Sequence, residues 1–127
     1  MTKVNIPEQY KQVMPYLIIE NASGFMDFLI AVFGATEQNR TMRDEHVIMH
    51  AEAGIGDCTI MFADATEEFT PLNSSMFIYV TDADAAFIKA IEKGAMEIMP
   101  PADQDYGRSC GVQDPFGNTW WITSVKS

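Results

Sequence analysis

Basic charge is scarce in this chain. Eight Lys and Arg stand against eighteen Asp and Glu, giving a formal net charge of −10. That balance argues against nucleic acid or an anionic membrane surface as a partner, since both are bound through positive charge. It suits a cationic ligand, and more plainly it keeps a protein soluble. Cysteine is scarce too: Cys58 and Cys110 are the two present, and neither lies in a CxxC motif. A disulfide framework and a Cys-ligated metal are thereby disfavoured, and buried free thiols are the simpler expectation. No stretch approaches the ~18 consecutive apolar residues of a membrane span. Residues 1–10 lack the apolar run of a signal peptide, so the expected location is the cytoplasm.

What remains is an ordinary globular composition, 47% hydrophobic and 20% charged over 127 residues. That length suits one domain with a real core.

The most informative stretch is Asp114-Pro115-Phe116-Gly117-Asn118-Thr119-Trp120-Trp121-Ile122. Asp, Pro and Gly at the first, second and fourth positions predict a type I turn. Thr119–Ser124 follows as an aromatic and β-branched strand. Alternation puts Trp121 on one face and Trp120 with Ile122 on the other.

Earlier segments build toward the same pattern. A strand is predicted over Val13–Ile19, with Pro15 marking an edge or a start. Asn21 or Ser23 caps a helix whose apolar residues run from Phe25 to Phe33 and which Gly34 ends. Strands follow at Thr36–Met42, His46–Ala53 and Cys58–Ala63, the last two joined by Gly54–Asp57. Beyond a polar loop, Met76–Val80 is a strand. Thr81 or Asp82 caps a helix with Ala85, Ala86, Ile88 and Ile91 as its apolar stripe, and Gly94 ends it. Met96–Met99 is a short strand stopped by Pro100-Pro101. Residues 102–106 are a loop, and Ser109–Val112 precedes the Asp114 turn. Sliding the chain by about 60 residues lays Tyr16–Ala35 over Met76–Ala95, strand on strand and helix on helix. Each half reads βαβββ.

Two such modules, the second closed by a DPxG turn and a final strand, resemble the vicinal oxygen chelate superfamily, the glyoxalase, bleomycin-resistance and dioxygenase proteins. The likeness is strongest to its PhnB-like and bleomycin-resistance-like branches. It is carried by Met14–Leu29, Met49–Asp64 and Tyr106–Ile122. The resemblance implies an α+β fold of two βαβββ modules in one domain, about 13–64 and 75–124. It further implies mixed sheets curled around a cleft, and a homodimer.

Metal-using members of that family place ligands on the first and last strands of each module. The matching positions here are Met14 or Pro15, Met61 or Ile60, Ser75 or Ser74, and Trp121. None is a good donor for a hard divalent ion, so no standard metal site is expected and no cofactor is called for. The cleft face would instead carry Trp121, Phe77, Tyr79, Met61, Tyr16, Met14 and Ser75. That surface suits a small organic molecule, flat and apolar or cationic. The alternative is that these aromatic and Met side chains are simply core. Arg108 would hold an anionic group of the ligand, or pair with Asp103, Asp105 or Asp114.

One rival constellation stands apart. His50 and Glu52 are two apart on a strand and share a face. They are candidates for acid–base work or for a displaced metal site, with Asp64 as a third ligand; the plainer alternative is a polar strand surface.

Overall fold

The computed structural model describes residues 4–126. Its chain runs β1 (Tyr16–Ile19), α1 (Ala22–Phe33), β2 (Thr36–Met42), β3 (Ile48–Ile55), β4 (Cys58–Asp64), β5 (Ser75–Tyr79), α2 (Ala83–Glu92), β6 (Met96–Gln104), β7 (Gly107–Gln113) and β8 (Thr119–Ser124). These form two four-stranded mixed sheets, ordered β1-β4-β3-β2 and β5-β8-β7-β6. In each, the first strand pairs parallel with the last, and the other pairs are antiparallel. The fold is therefore α+β, a βαβββ element written twice. Two compact units follow, the first of residues up to Ile30 with Gly34–Leu72, the second of Ala31–Phe33 and residues from Asn73 on.

In the first unit the helix lies on the Phe62 face of the sheet, where Phe25 meets Phe62 edge-on at 4.9 Å between ring centroids. Leu17, Ile19, Ala51, Ala53, Ile60 and Phe62 are buried. Alternation leaves Tyr16, His50, Glu52, Thr59 and Met61 for the opposite face. Helix α1 starts at Asn21, whose side chain accepts from the Gly24 amide at 3.0 Å. It ends at Gly34 with φ +68°, a left-handed cap that glycine adopts without strain.

In the second unit α2 packs across β6, β7 and β8. Cys110, Val112, Trp120 and Ile122 are buried, with the Cys110 thiol 3.9 Å from the Ala83 carbonyl. Each unit has the same joint, in which the end of its last strand caps the start of its helix. Asp64 Oδ1 accepts from the Ala22 amide at 2.7 Å, and Ser124 Oγ accepts from the Ala83 amide at 3.1 Å.

Several sequence expectations are corrected. The first strand begins at Tyr16, not Val13, because Pro15 has no N–H to give; β1 is an edge strand, as that proline implied. The third strand starts at Ile48, not His46. Asp44 Oδ1 takes the amides of His46 and Val47 at 2.7 and 2.9 Å, so that stretch is a side-chain-closed turn. Those two amides also hold the Asp44 carboxyl below its ordinary pKa. The sixth strand does not stop at the prolines but runs through them to Gln104. It can do so because β6 is an edge strand and its register with β7 shifts between Met99 and Ala102. Finally, α2 buries Ala83, Ala86 and Ala90, whereas Ile88 and Ile91 face outward, 60% and 39% exposed.

The two thiols differ sharply. Cys58 is exposed and Cys110 buried. Burial pushes the Cys110 thiol up to about 11, and the nearby Asp84 carboxylate acts in the same direction. A thiol-reactive disulfide reagent at pH 8 should therefore label one cysteine at once and the second on the timescale of unfolding. Equal fast labelling of both would contradict this packing. Because the folded thiol holds its proton longer than the unfolded one, its contribution to stability is complete below about pH 9 and lost as pH rises toward about 11. A Cys110→Ala variant should lack that alkaline loss relative to the wild type.

Candidate functional site

The open face of the first unit carries a connected polar chain. Strand pairing sets Tyr16 beside Met61, Met61 beside Glu52 and Glu52 beside Asn39, one row across all four strands. Glu52 is 4% exposed. Its carboxylate accepts from the Tyr10 hydroxyl at 2.7 and 2.9 Å. It also meets His50 Nε2 at 2.8 Å, while His50 Nδ1 lies 3.2 Å from the Tyr16 hydroxyl. One tautomer satisfies both imidazole contacts: Nε2–H donates to Glu52, and Nδ1 accepts from Tyr16. The Tyr16 and His50 rings are 5.6 Å apart. Bonding to Glu52, with some burial, raises the Tyr10 phenol above its ordinary pKa and keeps it a donor.

Beside this chain is an open cavity of about 550 Å³ lined by Gln9, Tyr10, Thr36, Glu37, Gln38, Asn39 and Glu52. The N-terminal segment covers one side of it. Thr59 Oγ1 lies 3.0 Å from the Gln9 carbonyl oxygen and 3.1 Å from Gln38 Oε1, which share its single proton, and Lys11 lies 3.8 Å from Asp57. Sequence reasoning missed Tyr10. A single aromatic in a polar lead-in was the only signal, and its partner is 42 residues away.

The open face of the second unit is aromatic. Trp121 pairs with Phe77 on one side and Gly111 on the other. Its indole closely covers Gly111: a Cβ there would sit 2.5 Å from Trp121 Cζ3 and 2.8 Å from Cε3. The glycine is the seat of the ring. The indole N–H donates to Ser75 Oγ at 3.1 Å. Phe77 and Tyr79 meet edge-on, centroids 5.1 Å apart, and are 51% and 68% exposed. The two tryptophans thus serve opposite surfaces, as alternation predicts, with Trp120 1% exposed.

The Asp114 turn anchors this strand from below. Asp114 Oδ1 accepts from the amides of Phe116 and Asn118 at 2.9 and 3.0 Å. Oδ2 accepts from the Trp120 indole at 2.8 Å and the Asn118 amide group at 3.2 Å. Asn118 Oδ1 in turn accepts from the Ser74 backbone at 3.0 Å, tying the start of β5 to β8. Asp114, Asn118 and Trp120 are all buried, and their side-chain polar atoms are matched with one another or with backbone.

The remaining candidates fall elsewhere. Arg108 is on the helix side of β7, where its guanidinium donates to both oxygens of Asp84 at 3.1 Å and to Asp103 at 3.4 Å. Asp103 was among its anticipated partners; Asp84, on α2, was not. Its grip holds the Asp84 carboxyl below its usual pKa. Met14 is half-buried and precedes β1. Asp64 spends both oxygens on backbone amides, those of Ala22 and Ile48, each at 2.7 Å. Among the described residues no three His, Cys, Asp or Glu gather where a metal ion could be held. A Met61 thioether in one unit and a Trp121 indole in the other do not fit a hard divalent ion.

A βαβββ unit repeated in sequence and structure, with a helix packed on one face of each sheet, defines a duplicated α+β protein. The chain belongs to the Glyoxalase/Bleomycin resistance protein/Dioxygenase superfamily, whose model matches residues 11–122. An uncharacterized protein of Mycobacterium bovis is 30% identical over 118 residues, covering 84% of this chain and 78% of the relative. Among solved structures, the PhnB protein from Bacillus cereus superposes with a TM-score of 0.75 at 18% identity, covering 91% of this chain and 100% of that one. TnmS3, an antibiotic binding protein from Streptomyces sp. CB03234, does so with a TM-score of 0.71 at 15% identity over 99% and 100%. These structural likenesses are likenesses of fold.

Proposed function

We propose that this protein binds and sequesters a flat organic molecule, apolar or cationic, on the Trp121 face, without a metal at the family's usual positions. The observation that carries the reading is the preorganised indole: seated over Gly111, held by Ser75 and paired across the strands with Phe77, whose exposed ring in turn meets Tyr79. Exposed aromatic rings with fixed orientation lose little entropy on stacking, and a cation above them gains from the ring quadrupole. The net charge of −10 draws cations in and repels anions. Members of the same fold include an antibiotic binding protein. We place the protein in the cytoplasm and pair it as a homodimer, expectations that sedimentation and fractionation would check.

Tryptophan fluorescence titrated with 9-aminoacridine and with acridine-9-carboxylate tests this. Saturable quenching by the cation, with weak or no response to the anion, is expected. Equal response to both, or none to either, would dismiss the stacking surface.

One observation favours a second reading, an acid–base enzyme using His50 and Glu52. His50 is held at both ring nitrogens, so a proton accepted at the exposed Tyr16 hydroxyl could pass to the imidazole while Glu52 fixes the ring's orientation. Carbon-acid exchange of small ketones in heavy water, followed by NMR, is its check. A rate unchanged by His50→Ala would end that reading.

A further inference from the structure

The cavity of the first unit has its own chemistry. It is lined by two carboxylates, and they differ. Glu37 is already paired, with Arg40 at 2.9 Å. Glu52 is nearly fully buried, yet its partners are a phenol and an imidazole; among the described residues no Lys or Arg lines the cavity. A buried carboxylate without a guanidinium or ammonium partner has an unfilled need for one. Around it stand Thr36, Gln38 and Asn39, which offer hydroxyl and carboxamide oxygens. The volume, about 550 Å³, lies in the range of small-molecule sites.

We propose that this cavity is a second ligand site, selective for a small polyhydroxylated molecule bearing a primary ammonium group, with Glu52 as its anchor. An ammonium has three donors and no acceptor. Glu52 takes one of them as a charge-assisted bond, and the neighbouring amide and hydroxyl oxygens take the others. A quaternary ammonium lacks the donors these oxygens require. A carboxylated ligand meets the like charge of Glu52 and finds no cation among the described lining residues to offset it.

Tyr10 gives the site a second property. Its hydroxyl occupies the Glu52 oxygens that an ammonium would use. It rides on an N-terminal segment held to the sheet by a few exposed or half-buried polar contacts, those of Thr59 with Gln9 and of Lys11 with Asp57. Tyr10 is therefore a competitor that the ligand displaces, and the segment is the part that moves.

The test is calorimetric titration of the whole chain at low ionic strength with glucosamine, and with glucose as its neutral counterpart. Glucosamine should bind and glucose should not. Glu52→Gln should weaken glucosamine about 10- to 100-fold, the loss of a charged hydrogen bond. Tyr10→Phe should bind glucosamine as well as the wild type or several-fold better. Equal binding of the two sugars overturns the proposal, as does binding of neither. An unchanged Glu52→Gln variant also overturns it. Should Glu52→Gln fail to fold, Tyr10→Phe decides: loss of binding there would make Tyr10 a ligand contact and sink the competitor role. Trp121→Ala should leave glucosamine binding unchanged, which separates failure here from failure of the stacking surface.

Discussion

Asp114→Ala should lower the stability of the chain by roughly 4 kcal/mol, a large part of the ~5–15 kcal/mol that holds a domain of this size together. The carboxylate is 3% exposed and accepts four bonds, from two backbone amides, one side-chain amide and one indole. Alanine removes the acceptor and leaves the donors buried, which costs more than a lost bond between exposed groups. Three of those donors belong to Asn118 and Trp120, both essentially inaccessible to water. The effect should spread to β5, because Asn118 also holds the Ser74 amide. Urea unfolding followed by circular dichroism measures it, and a drop in melting temperature on the order of 15 °C is the expected thermal counterpart. Ser124→Ala, which removes one acceptor at the start of α2, should cost only about 1 kcal/mol. Similar losses for the two variants would mean that water readily replaces the Asp114 carboxylate.

Trp121→Ala should weaken binding of 9-aminoacridine by about 30-fold or more, since a truncated aromatic anchor loses ~2 kcal/mol or above. The same change should cost less than about 1 kcal/mol of stability, because the indole is half-exposed and lies on the open face. Trp120→Ala should do the reverse, costing about 3–5 kcal/mol as a fully buried ring. Gly111→Ala tests the seat. A methyl 2.5 Å from the indole forces the ring off its resting plane and away from Ser75. Affinity should then fall about 10-fold. Fluorescence titration with parallel thermal melts separates the two tryptophans. If Trp121→Ala destabilises as much as Trp120→Ala, its face is core rather than a binding surface.

What the sequence made legible was what is decided locally. The Asp114 turn, the Gly34 stop and the limits of β2 and β8 follow from residues within a few positions of one another. The repeat was readable because the order of elements survives where identity does not. Misread features depended on partners elsewhere. Pro100 and Pro101 look like a stop until the strand is known to be an edge. Hydrophobicity assigns the α2 stripe to Ile88 and Ile91, but the sheet takes the helix on its alanine face. In the site, alternation separated Trp121 from Trp120 and placed His50 with Glu52. It did not reveal Tyr10 or the Asp84 partner of Arg108, which lie 42 and 24 residues from what they touch.

The two prolines of β6 have a further consequence. They stand side by side on the outer strand of the second sheet. Neighbouring amides on a strand point to opposite edges, so a pair of prolines leaves a missing donor on the free edge whichever way the strand is turned. A strand from another chain that docked there would meet a gap in the hydrogen-bonded ladder. The second sheet thereby resists growth along that side, and copies of the chain that meet there must recognise one another chiefly through side chains. That is a form of contact which stops at a defined number of partners instead of propagating into a fibre.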